Sequence, residues 1–254
     1  MSSMHSDIAT PDETASLTAV RPRLNQGRRR SDATPPTDLY LFVHKGLRAF
    51  LGDTLNRCGR MDVADSAEVA DTLAQVRGLV EICRTHLHKE EEFLHPAMEA
   101  RRPGSAGETQ GDHASQLGTF ADIEANVRAV EEATGAERAA AALRLYHHLA
   151  LFVAENLEHM HIEETENNEV LWAAYSDEEL RALQKELVGS IPPAEMAVFM
   201  RWMIPAMAPA ERALLLTGIK QYTPAEVFTK TVTGLKVHLT ERDWNKLMAA
   251  LAGL

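Results

Sequence analysis

From Thr37 onward the apolar residues of this chain recur at i, i+3, i+4 and i+7 for roughly twenty to forty residues at a time, with no period-two alternation. A period of 3.6 gathers such residues on one helix face, whereas a strand needs alternating runs rich in β-branched side chains. The pattern predicts an all-α protein. Four long helices are expected: Thr37 to about Arg57, Ser66 to Ala100, Thr109 to about the ATG at 133–135, and Ala136 to Tyr175. Thr37 is placed to cap the first, and Thr109 with Asp112 resembles a capping box opening the third. GRMD (59–62) breaks the chain after the first helix, and RRPGSAG (101–107) stops the second, because proline and glycine do not continue a helix. Four long helices with short joins predict an up-down-up-down four-helix bundle over residues 37–175.

After Ser176 the rhythm shortens. SDEE, PPAE, APAE, TPAE and TERD each read as a helix start, with Ser or Thr as cap, proline in the first turn, or acid beside the N-terminal dipole. About five short helices are therefore expected in a C-terminal extension, 176–254, with MAVFMRWMIPAM (196–207) supplying core packing. Residues 1–36 carry Ser, Thr, Pro, Asp and Arg without apolar periodicity, which predicts a disordered tail.

The formal net charge of −11 argues against nucleic acid as a partner, since phosphate binding needs a basic face. No apolar run reaches the length of a membrane span, and no secretory signal is visible, so the expected location is the cytoplasm with no membrane partner. Cys58 and Cys83 form no CxxC pair and are read as reduced thiols.

Against this helical frame the histidines sort by face. On the second helix the stripe Val76, Leu79, Cys83 continues into His86 and Glu90, then Phe93 and Ala97. His88, Glu92 and His95 fall on the polar side with Glu81, Thr85 and Glu99. A buried carboxylate without a partner costs several kcal/mol, so Glu90 needs a metal ion or a buried Arg or Lys. The first helix carries Tyr40, His44, Leu47, Leu51 and Leu55 on one stripe, and the third carries His113, Leu117, Phe120, Ile123, Val127 and Val130. On the fourth, Leu145, Leu149, Phe152, Asn156, His159 and Glu163 align, repeating the His-x-x-x-Glu spacing. His44 and His113 lie near helix starts, His86 and His159 near helix ends. In an up-down-up-down bundle these depths coincide, so four imidazoles and two carboxylates meet in one layer.

Four His and two Glu exceed what one structural zinc ion takes and suit two ions bridged by carboxylates. Iron is favoured over manganese or zinc. A ferritin-like pattern, Glu92-x-x-His95 with Glu158-x-x-His161, fits less well because the first helix holds no Glu and Glu92 and His95 lie on the polar face. His88, His95, His147, His148, His161 and His238 are read as surface or capping histidines, and Tyr40 as packing.

The segments FVHKGLR, THLHKEEEFLHPAME, GDH and EHMHIEE resemble the hemerythrin HHE cation-binding domain across roughly residues 37–175. His86, Glu90 and Pro96 match the family's second-helix motif, and His44, His113, His159 and Glu163 match its remaining ligands. The resemblance implies a diiron site, oxo- or carboxylate-bridged, that binds or senses O₂, NO, peroxide or iron. A diiron redox enzyme, acting as an oxidase, consuming peroxide or NO, or repairing iron centres, is the alternative. Two departures stand out. Leu117 occupies the position of a second third-helix histidine in oxygen carriers, and EETENNEVLW replaces the expected EExxxxPLL. The first moves the likeness toward iron-centre-repair proteins and an iron-sensing ubiquitin-ligase domain. FMRWMIPAMAPAERALLL is similar to the segment after hemerythrin repeats in plant iron-responsive ligases; the extension is expected to cover the bundle or to mediate contacts with a protein partner, and without a RING module ligase activity is not implied.

Overall fold

The structure is a computed structural model that describes residues 37–252. The proposed disordered tail lies outside the described residues. Every regular element among the described residues is helical. The first is α1 (Leu41–Gly59). The second long helix comprises α2 (Ser66–Lys89), a wider turn over Glu90–Leu94, and α3 (His95–Arg101). The third is α4 (Gly107–Glu132). The fourth comprises α5 (Gly135–Ile162), a wider turn over Glu163–Asn167, and α6 (Asn168–Ala174). The shorter helices are α7 (Asp177–Gly189), α8 (Pro193–Ala206), α9 (Pro209–Tyr222), α10 (Ala225–Leu235) and α11 (Glu241–Ala252). Among the described residues five short α-helices follow Ser176, as expected.

Two expected caps are replaced. At α1 the Asp38 carboxylate, not Thr37, accepts the Tyr40 and Leu41 N–H groups, each at 2.9 Å. Asp38 stands closer to the first orphan amides, which frees Thr37 to bind Asp177 at the start of α7. The third helix begins at Gly107, so Thr109 lies inside it and donates its hydroxyl to the Ala106 carbonyl. Asp112 turns instead toward His159, at 3.2 Å. The α7 cap forms as read, with Ser176 and Glu179 bonding reciprocally.

Helix α1 packs on α2 and α5, and α4 packs on the same two, so within this set of four each has two neighbours. Their inner faces form one apolar cluster that includes Leu51, Leu73, Leu79, Phe120, Leu149 and Phe152. Each side chain buried to this degree contributes about 1.5–3 kcal/mol relative to exposure. A second cluster, Tyr40, Leu94, Met98, Ala106, Leu171 and Leu180, joins α3, α6 and α7. The C-terminal helices build a third around Ile204, Met207, Leu216 and Leu247, so this methionine-rich segment packs as core.

Helix α8 lies against α1 with Trp202 stacked on Phe50, ring centroids 4.1 Å apart. The two backbones meet at Gly46, where an added Cβ would stand 2.8 Å from Met203 Cγ and 3.0 Å from its backbone nitrogen. Lys45 binds both oxygens of Glu211 alongside, at 2.6 and 2.7 Å.

The two wider turns change which residues face inward. His95 N–H bonds to Glu90 C=O, and Asn168 N–H to Glu163 C=O, so each turn closes over five residues instead of four. Such a turn contains in effect one extra residue and advances the following stripe by one position. Leu94 and Met98 are therefore buried where Phe93 and Ala97 were expected. His95, expected on the solvated face, is only 1% exposed. On α4, Leu117 is 45% exposed and Gln116 is the buried neighbour, because the inward spacing 113, 116, 120, 123, 127, 130 alternates three and four.

Candidate metal centre

The six residues singled out by facing come together between the main core and the Tyr40–Leu94–Met98 cluster. His44 comes from α1, His86 from the end of α2, His113 from the start of α4 and His159 from the end of α5. Glu90 and Glu163 each open a wider turn. A five-residue turn lets the carboxylate sit one helical turn below its histidine while the helix continues on a shifted register; such turns are frequent at functional sites.

The donors form two groups. His44, His86, Glu90 and Glu163 supply one set of four atoms, and His113, His159, Glu90 and Glu163 the other. In the first, His44 Nε2 lies 3.2 Å from His86 Nε2 and 3.3 Å from Glu163 Oε2, while His86 Nε2 lies 3.1 Å from Glu90 Oε1. In the second, His113 Nε2 lies 3.2 Å from His159 Nε2 and 3.5 Å from Glu90 Oε2, while His159 Nε2 lies 3.4 Å from Glu163 Oε1. Each carboxylate thus turns one oxygen to each group. Donors sharing one ion through bonds of about 2.0–2.2 Å stand about 3.0–3.4 Å apart, close to most of these separations.

The chemistry of the donors also suits cations. Neither oxygen of Glu90 or of Glu163 accepts a well-formed hydrogen bond, although both residues are buried. The imidazole pairs face each other through Nε2, an arrangement that a single proton or a shared ion can stabilise. The outer nitrogens prepare this orientation. His44 Nδ1 lies 3.1 Å from Glu164 Oε1 and His159 Nδ1 3.2 Å from Asp112 Oδ2, so a proton on each Nδ1 donates outward and leaves the Nε2 lone pair inward. His113 Nδ1 lies 3.5 Å from Glu91 Oε1. Arg48 holds Glu164 in turn through two bonds, of 2.5 and 2.9 Å.

These supporting acids were not found by facing alone. Glu91, Asp112 and Glu164 each sit beside a ligand candidate in the chain, about 100° around the helix, and that adjacency was the available signal. Beyond the six lies a polar floor. His95 stacks on His113 with centroids 4.8 Å apart, and its Nε2 is 3.3 Å from the Thr109 hydroxyl. Asn167 donates toward Thr109 and toward the Tyr40 phenol, at 3.4 and 3.5 Å. His88 and His161 are exposed, as read.

In the chain without cations, protons supply the compensation. Burial opposes the charge on His159, but Glu163, Glu90 and Asp112 outweigh it and bring the imidazole up to about 9. Burial likewise opposes the charge on His44, yet Glu163, Glu164 and Glu90 hold it well above the usual range. Burial and the charge of Glu90 push Glu163 up, and the imidazoles of His159 and His44 pull it below its ordinary value. Burial also raises Glu164, and His44 with Arg48 brings it down to about 2.

The sign follows. A His159 pKa of about 9, above the usual imidazole value, stabilises the cation-free fold fully below about pH 6.5 and fades as pH rises through 9. A cation needs the same nitrogen unprotonated. Affinity for Zn(II) is expected to rise between pH 6 and 8 by about tenfold per unit for each proton displaced. Competition titrations at three pH values check this, and a flat profile contradicts it.

Comparisons with protein-family models, curated proteins and solved structures gave no match to this chain. Among the described residues no helix is long and apolar enough to cross a membrane. The buried His/Glu group can hold a metal ion.

Proposed function

We propose that residues 37–175 form an up-down-up-down, hemerythrin-like bundle binding two iron ions on His44, His86, Glu90, His113, His159 and Glu163, and that the protein binds or senses O₂, NO, peroxide or iron. The observation carrying this reading is that Glu90 and Glu163 each present one oxygen to each imidazole pair. Imidazole with carboxylate suits iron, and the ring contacts and helix connectivity fit the resemblance seen in the motifs. Bound iron would supply one-electron redox chemistry and open positions for a small ligand.

The chain's own residues have separable roles. Glu90 and Glu163 carry the negative charge that two cations require, while Glu164 and Asp112 orient imidazoles through their outer nitrogens. The apolar clusters on either side exclude bulk water, which favours binding of a small uncharged ligand over solvent. The helices α7 to α11, of which α8 packs on α1, offer the surface through which a protein partner would be engaged.

A redox enzyme is the second reading, and the polar floor favours it. The Tyr40 phenol is fully buried, and burial with the charges of Glu163 and Glu90 keeps it protonated well above its usual range. It therefore stands as a neutral O–H group beside the carboxylate layer. The deciding experiment loads the chain with Fe(II) without oxygen, measures iron per chain and records the visible spectrum, then adds O₂, NO or peroxide. About two irons with a stable adduct supports binding or sensing, many turnovers supports the enzyme, and a chain that takes up no iron sinks both.

A further inference from the structure

The two donor groups use the same residue types, but their surroundings differ. Behind His159 and His113 stand Asp112 and Glu91, and among the described residues no cation pairs with either acid. Behind His44 stands Glu164, whose charge Arg48 neutralises through two hydrogen bonds. His86 has no acid on its outer nitrogen among the described residues. Its side chain is also the most exposed of the six, at 14%.

A carboxylate behind a ligating imidazole raises its basicity and fixes its ring, and its loss lowers metal affinity by about 10–100-fold. Asp112 and Glu91 are each 43% exposed, so solvent screens but does not cancel the direct attraction that their negative charge adds for a dication. One half has an acid hydrogen-bonded behind His159 and a second acid, Glu91, 3.5 Å from His113 without a hydrogen bond to it, and the other has a charge cancelled by a guanidinium.

We propose that the two cation positions are unequal: the His113–His159 position fills first and at least about tenfold more tightly, and the His44–His86 position is the exchangeable one. This rests on the two-cation reading above and assigns its regulation. With the tight position filled, occupancy of the other follows the free concentration of a divalent cation, and its partly exposed imidazole is where that cation enters and leaves. Two different metals can then occupy one site in a defined order.

The test uses the full chain stripped of metal and titrated anaerobically with Co(II), whose visible absorption reports each bound ion, against a chelator of known affinity. Two phases of one ion per chain are expected, separated by tenfold or more. Asp112→Asn is expected to weaken the first phase about tenfold and leave the second within about threefold. Arg48→Gln, which releases the Glu164 charge, is expected to tighten the second phase and narrow the gap. A substitution that merely loosened the fold would not tighten binding, and circular dichroism of both variants checks folding. Uptake of both ions in one phase, or Asp112→Asn acting on the second phase, overturns the proposal. No Co(II) uptake overturns the two-cation reading beneath it.

Discussion

Glu163→Ala is expected to abolish binding of both ions, whereas His86→Ala weakens only one. The difference lies in what each side chain touches. Glu163 Oε2 is 3.3 Å from His44 Nε2 and Oε1 is 3.4 Å from His159 Nε2, so its removal takes a donor and a shared negative charge from both groups. His86 contributes to one group only. An ion present at about a thousand times its Kd stabilises the fold by about 4 kcal/mol. For a chain of this size that is roughly 8–16 °C in Tm per ion. Wild type with Fe(II) should melt well above Glu163→Ala with Fe(II), and the two should lie much closer when both are stripped. Metal analysis with paired melting curves decides it. Two ions retained by Glu163→Ala would remove Glu163 from the site.

Phe152→Ala tests the scaffold instead. Phe152 is fully buried and meets Phe120 edge-on, with centroids 5.7 Å apart. Truncating a buried phenylalanine costs about 3–5 kcal/mol, from lost burial and the cavity left behind. The variant should lose that much stability in urea unfolding of the metal-free chain. It should still bind two ions while folded, because Phe152 lies seven positions before His159 and contributes no donor. A loss below about 1 kcal/mol would mean that the core closes over the gap. Loss of ions at temperatures where the variant is folded would tie the site to packing more tightly than the contacts imply.

The contrast between these variants reflects how legible each feature was. Leu79, Phe120, Leu149 and Phe152 recur with helical spacing, and burial follows from that spacing because one face of each helix must leave water. His86, Glu90, His159 and Glu163 were legible in the same way, as polar residues on apolar stripes. His95 was not. Its position depends on a five-residue turn at Glu90–Leu94, and a strict 3.6 period carried past Glu90 puts it on the wrong face. Phe93 was misplaced by the same turn, and Leu117 by a separate choice of i+4 over i+3 from His113 on the uninterrupted α4.

Local periodicity, charge and capping chemistry determined by themselves that this chain is helical, where most of its helices begin and end, and which six donors turn inward. These depend on interactions within a few residues of one another. Tertiary structure alone decided that Glu90 and Glu163 each address two imidazole pairs, that Asp112 serves His159 rather than a helix cap, and that Arg48 cancels Glu164. It also decided that α8 lies on α1 at Gly46. Each is a contact between segments distant in the chain, set by how helices rotate and slide to bury their apolar faces together, and no spacing within one helix encodes it.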